Sequence, residues 1–175
     1  MMDRQGSTSQ THPLEIHTDQ ILIQGTVTLP FRRVTEIMNS ADRDFLSIDR
    51  AMIAPLVDLS QVSRPNAPTT VVRRMQVRYV ATYTDLTRAR PAGVEFVGVQ
   101  KVPTACYGFL GPFVFHAYLH MRPGTSLLEV LETGAEDFIP FTRATVYLVA
   151  RPDAAPRQHE VIIINRRFLD AAYLA

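Results

Sequence analysis

Two histidines, His116 and His120, are the side chains whose type and spacing first suggest metal binding. Both lie in an aromatic, alternating run that is typical of a β-strand. On a strand, residues four apart share a face but lie about 13 Å from each other, too far for two ligands of one ion. We therefore interpret both as structural histidines and expect neither a metal site nor a cofactor.

The single cysteine, Cys106, is a second candidate for reactivity. One cysteine excludes an internal disulfide framework and a zinc site built from cysteines. A nucleophilic thiol would need an adjacent base, for which His116 is the candidate. The neighbours of Cys106 form no catalytic motif, so we expect it to be a buried apolar side chain.

Arginines in two segments, each predicted to be the closing strand of a structural unit, suggest an anion-facing strip. Arg73 and Arg74 are adjacent and must point to opposite faces of a regular strand, so they do not form one patch. The chain has 18 Lys and Arg against 17 Asp and Glu, whereas nucleic-acid-binding domains usually have a marked basic excess. Nucleic acid is therefore not the expected partner. The possible anion contacts are Arg73, Arg78, Arg166 and Arg167.

The chain contains an internal repeat. Residues 21–56 align without a gap on residues 114–149 at a constant offset of 93. Beyond two proline-containing loops, residues 75–80 align on residues 164–169 at an offset of 89. A length change that falls in a loop is what duplication predicts. Identical pairs at the first offset include Pro30/Pro123, Glu36/Glu129, Asp44/Asp137, Phe45/Phe138 and Arg50/Arg143.

Charged residues that recur in the repeat could form one ligand or catalytic site in each copy. A structural ion pair between Glu36 and Arg50, or a bond from Asp44 to a turn amide, explains the same recurrence without a ligand. We favour this structural interpretation. The recurring polar residues are Glu36, Asp44, Arg50, Glu129, Asp137 and Arg143.

Each repeated unit has the pattern strand, strand, short helix, strand, strand, strand. Val34, Ile37 and Met38 have the spacing of one apolar helical face, and β-rich runs bounded by turn residues surround them. A long strand is predicted to close each unit, near residues 71–83 and 161–169. These patterns predict an α+β, β-dominated fold of two units, related by a pseudo-two-fold, with curved or barrel-like antiparallel sheets.

Composition along the chain predicts its division into units. Residues 1–12, which are rich in Ser, Thr and Gln, are expected to be a disordered tail. The first repeat unit spans residues 13–83, a linker and lead-in spans 84–104, and the second unit spans 105–175. Because the linker is short, we expect the two units to pack together.

Two runs, Arg33-Val-Thr-Glu-Ile-Met-Asn39 and Asp44-Phe-Leu-Ser-Ile-Asp-Arg-Ala-Met-Ile53, resemble an uncharacterised small bacterial domain of unknown function. Members of that family read roughly Arg-Leu-Ser-Asp-x-Leu-Asn, then Phe-Leu-x-Leu-Thr-Asp-Ala-x-Val. The second copy keeps Phe138-Ile-Pro-Phe-Thr-Arg-Ala-Thr-Val146 but has Glu132 where Asn39 stands. These motifs consist mostly of core and turn residues. The resemblance therefore implies two tandem copies of one fold and lends no catalytic residues.

An aromatic segment over residues 107–115 distinguishes the second copy, because it replaces polar residues of the first. Such a segment is typical of a contact surface, either between the two units or with another protein. The possible partner-interface residues are Tyr107, Phe109, Phe113 and Phe115.

Composition and missing motifs limit the function further. The 175 residues are 46% hydrophobic and 20% charged, enough apolar material for a globular core. No run reaches 18 consecutive apolar residues and the N-terminus is polar, so we expect no membrane span, no signal peptide and a cytoplasmic location. No glycine-rich phosphate loop, HExxH motif or nucleophile elbow is present.

These observations favour a non-enzymatic tandem-repeat module that acts through protein–protein contacts, as an adaptor or assembly subunit, with a protein partner or by self-association. The alternative is small-anion or nucleic-acid binding through the arginine-bearing closing strands. An enzyme would need a pocket that joins Glu36, Arg50 and their counterparts, and this is the least supported class.

Overall fold

A computed structural model of the chain describes residues 9–30, 33–40, 42–59, 68–83 and 100–175. These residues form ten strands, two short helices and two 3₁₀ turns. The strands are β1 (Ser9–His17), β2 (Ile21–Pro30), β3 (Phe45–Pro55), β4 (Thr69–Arg73), β5 (Tyr79–Thr82), β6 (Val102–Leu110), β7 (Phe113–Met121), β8 (Phe138–Leu148), β9 (Arg157–Asn165) and β10 (Ala171–Leu174). The helices are α1 (Val34–Met38) and α2 (Leu127–Thr133), and the 3₁₀ turns are Arg74–Gln76 and Arg166–Phe168.

All ten strands belong to one antiparallel sheet with the order β10-β6-β7-β8-β9-β5-β1-β2-β3-β4. The predicted β-dominated fold with antiparallel strands is confirmed. The sheet does not close into a barrel, because β10 and β4 are its two edges within the described part of the chain. None of the described helices is long and apolar enough to cross a bilayer.

The same order of elements occurs in the first half (residues 9–83) and in the second half (residues 100–175). Each half has two strands, a helix, two strands, a 3₁₀ turn and a final strand. A bulge interrupts the pairing of β2 with β3 and, in the same place, the pairing of β7 with β8. Arg50 and Arg143 lie in these bulges with φ angles of 53° and 51°, which non-glycine residues rarely adopt. Bulges bend a strand and increase its local twist.

Each closing strand is interrupted by a 3₁₀ turn, so the prediction of one long strand per unit is wrong. The guanidinium of Arg74 donates to the carbonyl oxygens of Met38 and Ser40, at 3.0 and 2.8 Å, and so ties the turn to the end of α1. Arg166 begins the corresponding turn 92 positions later and donates to the carbonyl oxygen of Leu131 in α2. The offset between the two turns is therefore 92 and not the predicted 89.

Two hydrophobic cores lie on opposite faces of the strands where the halves meet. Along β5, Val80 faces the first core, whereas Tyr79 and Ala81 face the second. Each core contains residues from both halves, so each half completes the core of the other. The first core takes Phe138, Val161 and Ile163 from the second half, and the second core takes Leu22, Leu56, Tyr79 and Ala81 from the first.

The halves are joined by the pairing of β5 with β9, in a register that runs from Tyr79↔Ile164 to Thr82↔Val161. By element order, β9 corresponds to β4, and β5 corresponds to β10. Strands at different positions of the two halves therefore pair at this junction. The expected pseudo-two-fold arrangement, like a fused homodimer, would instead pair equivalent strands.

Strand β1 begins at Ser9, inside the predicted tail, because its residues pair with β2 as far as Pro30. Strand β6 begins at Val102, before the predicted start of the second unit at residue 105. Residues 1–8, 60–67 and 84–99 lie outside the described residues, and with them most of the predicted tail and linker and most of the first half's proline-containing loop.

Asn39 is expected to hold α1 against the second half. Its side-chain amide donates to the Phe138 carbonyl oxygen and accepts from the Phe138 N–H, both at 2.8 Å. The replacement Asn39→Ala leaves two backbone groups without these partners and should lower the free energy of unfolding by about 2 kcal/mol. Urea denaturation followed by circular dichroism measures this change. Glu132→Ala, at the corresponding exposed position of α2, should change it by less than about 0.5 kcal/mol, and equal effects of both variants would contradict the assignment.

Candidate ligand-binding site

The site lies where β1, β5 and β9 meet, and it begins with two polar residues inside the molecule. Glu15 and His17 are two apart on β1, so both side chains point to the same face of the strand, and both are buried. His17 lies directly opposite Tyr79 of β5 and stacks on its ring, with centroids 4.1 Å apart. Buried polar groups need partners, and most of those for Glu15 come from other strands.

Glu15 is held as a buried carboxylate. The Arg157 guanidinium donates to both of its oxygens, at 2.8 and 2.7 Å, and Gln24 donates at 2.8 Å. The Tyr83 hydroxyl donates to the same carboxylate. Burial alone would raise the pKa of Glu15, but hydrogen bonds from His17, Tyr83 and Gln24 and the charge of Arg157 outweigh it and hold that pKa well below its usual range.

His17 is neutral at physiological pH. Burial lowers its pKa to about 4, and the neighbouring carboxylate of Glu15 only partly opposes this effect. Because Glu15 is ionised, the 3.4 Å contact from His17 Nε2 requires the imidazole hydrogen on Nε2 and leaves Nδ1 as an acceptor. Burial also lowers the pKa of His159 on β9. The polar cluster of Glu15, Arg157, His17 and His159 therefore holds one ion pair and two neutral imidazoles.

Three residues of this cluster could offer atoms to a metal ion, since the ligand atoms of Glu15, His17 and His159 all lie within 4.8 Å of one another. A cation at this point would compete with the Arg157 guanidinium, which already binds both carboxylate oxygens. Displacing the Arg157 guanidinium would leave this partly buried charge without its carboxylate partner, which costs free energy. The donor set therefore fits an internal ion pair better than a metal centre.

A cavity of about 220 Å³ opens beside His17 and Tyr79, and its wall is mostly apolar. The ring of Phe113 packs edge-on against Tyr79, with centroids 5.1 Å apart, so the inner wall is aromatic. Both halves contribute to the lining, as is common for ligand sites at the junction of two units. The lining residues are His17, Leu56, Asp58, Leu59, Tyr79, Phe113, Val146, Leu148, Arg151, Ala154, Ala155 and Arg157.

Three polar atoms of the lining residues are buried without a hydrogen-bond partner among the described residues: Tyr79 Oη, His17 Nδ1 and Arg157 Nε. Burial raises the pKa of Tyr79 strongly, so its hydroxyl keeps its hydrogen and is a donor. His17 Nδ1 is an acceptor. An unsatisfied buried polar group costs about 1–3 kcal/mol, so a hydrogen-bond partner that reached Tyr79 Oη and His17 Nδ1 would be stabilised there.

Comparison with known proteins assigns no function to this cavity. No protein-family model, curated protein sequence or solved structure matches the chain. What the cavity can bind therefore follows from the chemistry of its own walls.

The aromatic segment of the second half is divided between core and surface. Phe113 and Phe115 are buried in the second core, so they are removed from any exposed partner-binding patch. Phe113 instead contacts Tyr79 of the first half. Phe109 is partly exposed, and Tyr107 stacks on the ring of Tyr173 with centroids 5.3 Å apart.

Three of the four arginines predicted as anion contacts are bound to carboxylates of the chain itself. Arg78 pairs with Asp19 and lies over the Phe168 ring, 3.5 Å from its centroid. Arg166 and Arg167 both pair with Asp137, at 3.8 and 2.9 Å. The fourth, Arg73, lies over the Phe45 ring, 5.5 Å from its centroid. These arginines do not form one anion-binding strip.

The recurring polar residues lie at separate structural positions and not in one pocket. Glu36 accepts from the backbone N–H of Arg33 at the start of α1, and Ser126 accepts from the N–H of Glu129 at the start of α2. The Asp44 and Asp137 carbonyl oxygens accept from the N–H groups of Arg74 and Arg166. Arg50 and Arg143 occupy the bulges.

The residues considered first for reactivity lie outside the cavity. Cys106 is fully buried, and burial raises its pKa to about 11, so its thiol is a poor nucleophile at neutral pH. His120 contacts the Thr142 hydroxyl at 2.9 Å, and His116 stacks on Tyr107 with centroids 4.5 Å apart.

Sequence reasoning missed the residues that form the candidate site: Glu15, His17, Tyr79, Tyr83, Arg157 and His159. A partial signal was present, because Glu15 and His17 are two apart in a predicted strand, and that spacing places both side chains on one face. Arg157 and His159 precede the predicted closing strand at 161–169. A buried charge usually requires an opposite charge. Nothing in the sequence, however, indicates that β1 and β9 lie close together.

The buried His17 is expected to make stability depend on pH. Unfolded histidine takes up its proton near pH 6.5, whereas folded His17 does so only near pH 4. The stabilisation is therefore complete above pH 6.5 and is lost as the pH falls from 6.5 to 4, by up to roughly 3 kcal/mol. Glu15, whose folded pKa is also lowered, adds a loss in the same direction at more acidic pH.

Urea denaturation at pH 7, 5.5 and 4.5 measures this dependence. His17→Gln should be less stable at pH 7 but should lose less stability on acidification than the wild type. His120→Gln, on the exposed side of the sheet, should keep the wild-type slope. Identical slopes for the three proteins would exclude His17 as the source.

Proposed function

We propose that the chain is a non-enzymatic binding module whose cavity takes a small, neutral aromatic molecule that carries one hydroxyl group. The observation that carries this proposal is the pair of unpartnered buried atoms, Tyr79 Oη and His17 Nδ1, on a mostly apolar wall. One is a donor and the other an acceptor. A hydroxyl group both accepts and donates, so it supplies the two partners that these atoms lack.

The size of the cavity limits the ligand to about one ring. Its volume of about 220 Å³ is somewhat larger than the roughly 150 Å³ that holds benzene in an engineered protein core. The rings of His17, Tyr79 and Phe113 pack on one another in stacked and edge-on arrangements and give the lining an aromatic side. A phenol with one small substituent fits this space.

The charges around the cavity favour a neutral ligand. The guanidinium of Arg157 is balanced by Glu15, and that of Arg151 by Asp153 at 3.7 Å. Each arginine of the described lining is therefore matched by a carboxylate, which disfavours an anionic ligand.

The pKa values support binding without catalysis. A general base works best when its pKa lies near the operating pH, and the pKa of His17 is lowered to about 4. Glu15 is held ionised by donors on several sides, so it is not free to exchange protons with a ligand.

The ligand proposal is tested by titrating p-cresol and toluene, which have the same shape apart from the hydroxyl group. The wild type should bind p-cresol about tenfold more tightly than toluene, because one or two buried hydrogen bonds contribute about 1–1.5 kcal/mol. In Tyr79→Phe the difference should fall to about threefold or less. Chemical shifts of labelled protein measure both affinities.

Tyr147→Phe is the matched control, since its hydroxyl lies on an exposed side chain away from the cavity lining. It should leave both affinities unchanged. Ala155→Trp, at the rim, should block both ligands. If p-cresol causes no shifts at millimolar concentration, or binds Tyr79→Phe as well as wild type, the proposal is wrong.

A second proposal is the one predicted from the sequence: a duplicated module that acts through protein–protein contacts, with a protein partner or by self-association. The duplication is supported by the same element order, the same bulges and the matching arginine bonds to α1 and α2. The contact function is supported by aromatic side chains exposed on the outer strands, such as Phe109 and Tyr173. A cytoplasmic location and membership of the resembling bacterial family stay predictions.

Anion or nucleic-acid binding is the weaker alternative. Arg78, Arg166 and Arg167 already pair with Asp19 or Asp137 of the same chain. An external anion would have to displace these carboxylates.

A further inference from the structure

We infer that strand β4 of one molecule pairs with strand β10 of a second copy, in the register that β9 and β5 use within the chain. The inference names the partner that the proposed protein-contact function leaves open, and it is independent of the cavity. Both strands are edges of the sheet in the described part of the chain. By element order, β4 holds the place of β9, and β10 holds the place of β5. The free edges β4 and β10 therefore correspond to β9 and β5, the two strands that already pair within the chain.

The internal junction gives the register of the proposed one. Tyr79, Val80, Ala81 and Thr82 pair with Ile164, Ile163, Ile162 and Val161. The proposed register follows when 92 is added to each β5 position and subtracted from each β9 position. It places Ala171 opposite Val72, Ala172 opposite Val71, Tyr173 opposite Thr70, and Leu174 opposite Thr69 of the second copy. These four pairs add one short antiparallel ladder across the two molecules.

Apolar residues are exposed at the free edges where the internal junction buries their counterparts. Ile163 of β9 is 0% exposed, whereas Val71, at the corresponding place in β4, is 65% exposed. Ala81 of β5 is 1% exposed, whereas Tyr173 of β10 is 54% exposed. An exposed apolar edge strand is a site for pairing with another chain. The exposed positions are those that a second junction would cover.

The two helices show the same difference in exposure between the internal junction and the free edge. Across the internal junction, α1 contacts the start of β8, where Phe138 is 1% exposed. The counterpart of Phe138 at the free edge is Phe45, which is 48% exposed, and α2 has no buried residue although it corresponds to α1. In the proposed junction, α2 of one copy covers Phe45 of the next, as α1 covers Phe138.

One difference makes the proposed junction weaker than the internal one. Asn39 both donates to and accepts from the Phe138 backbone, whereas Glu132 stands at its place in α2. A carboxylate only accepts, so it cannot replace both bonds. We therefore expect reversible, concentration-dependent association. Because the contact is head-to-tail, it continues beyond a dimer unless a ring closes.

Light scattering after size-exclusion chromatography, over micromolar to millimolar loading, is the first test. The average mass should rise above 19.7 kDa with concentration. A constant monomer mass over that range would overturn the inference, while leaving ligand binding and contacts with other proteins open to their own tests.

Variants that block one edge each test the head-to-tail geometry. Val71→Lys places a charge on β4, and Tyr173→Lys places one on β10, which is how natural edges prevent pairing. Each variant alone should be monomeric, because each keeps only one working edge. An equal mixture should form a complex of twice the monomer mass and nothing larger. Association of either variant by itself, or no complex in the mixture when wild type does associate, would overturn the inference.

Control variants separate edge pairing from a general effect of charge. Val149→Lys and Tyr147→Lys alter exposed residues away from both edges and should associate like wild type. Neither edge variant touches the cavity lining, so both should bind p-cresol if wild type does. Glu132→Asn supplies the amide that α2 lacks and should tighten association several-fold. No change, or weaker association, would contradict the proposed contact of α2 with Phe45.

Discussion

The four residue pairs between β5 and β9 are the interaction on which the rest of this fold depends. They join the two halves into one sheet and place a core on each face of the shared strands. Neither core is complete without residues from the other half. The domain boundary that sequence composition predicts therefore does not separate two independent hydrophobic cores.

The same junction explains why a buried ion pair is present. Glu15 on β1 and Arg157 on β9 come from different halves and meet because β5 lies between their strands. Removing Arg157 would leave the buried carboxylate of Glu15 uncompensated, which is strongly destabilising. The ion pair thus favours one arrangement of the halves over others that bury the same apolar area. Beside it, the stacked rings of His17 and Tyr79 form the wall of the cavity.

Local patterns in the sequence predicted the local structure. The spacing of Val34, Ile37 and Met38 places α1 correctly, and alternating apolar residues place most strands. The 3₁₀ turns that interrupt the closing strands were not predicted. The hydrogen bonds of Arg74 to the end of α1 are tertiary contacts, and the periodicity of the sequence does not indicate them. Aromatic residues identified a contact surface, but only the fold shows that Phe113 contacts the other half while Phe109 faces outward.

The candidate site could not be predicted for a similar reason. Its residues come from strands that are far apart in the chain, and Arg157 is more than a hundred positions from Glu15. Pairing of strands by sequence order would place β9 beside β8 and β10, whereas its second neighbour is β5. The shared element order of the two halves also hides such a site, because Tyr107 and Phe109 take the places of Glu15 and His17 in the second half.

The placement of β9 beside β5 has a consequence for synthesis on the ribosome. Strand β5 ends at Thr82, but β9, which pairs with it on one side, begins only at Arg157. Until that strand emerges, the growing chain has an unpaired edge next to a core that lacks Phe138, Val161 and Ile163. The nascent first half is therefore open to pairing with other chains for as long as the second half takes to be made. Folding is completed by the last third of the chain, and any pause in translation before β9 prolongs that exposure.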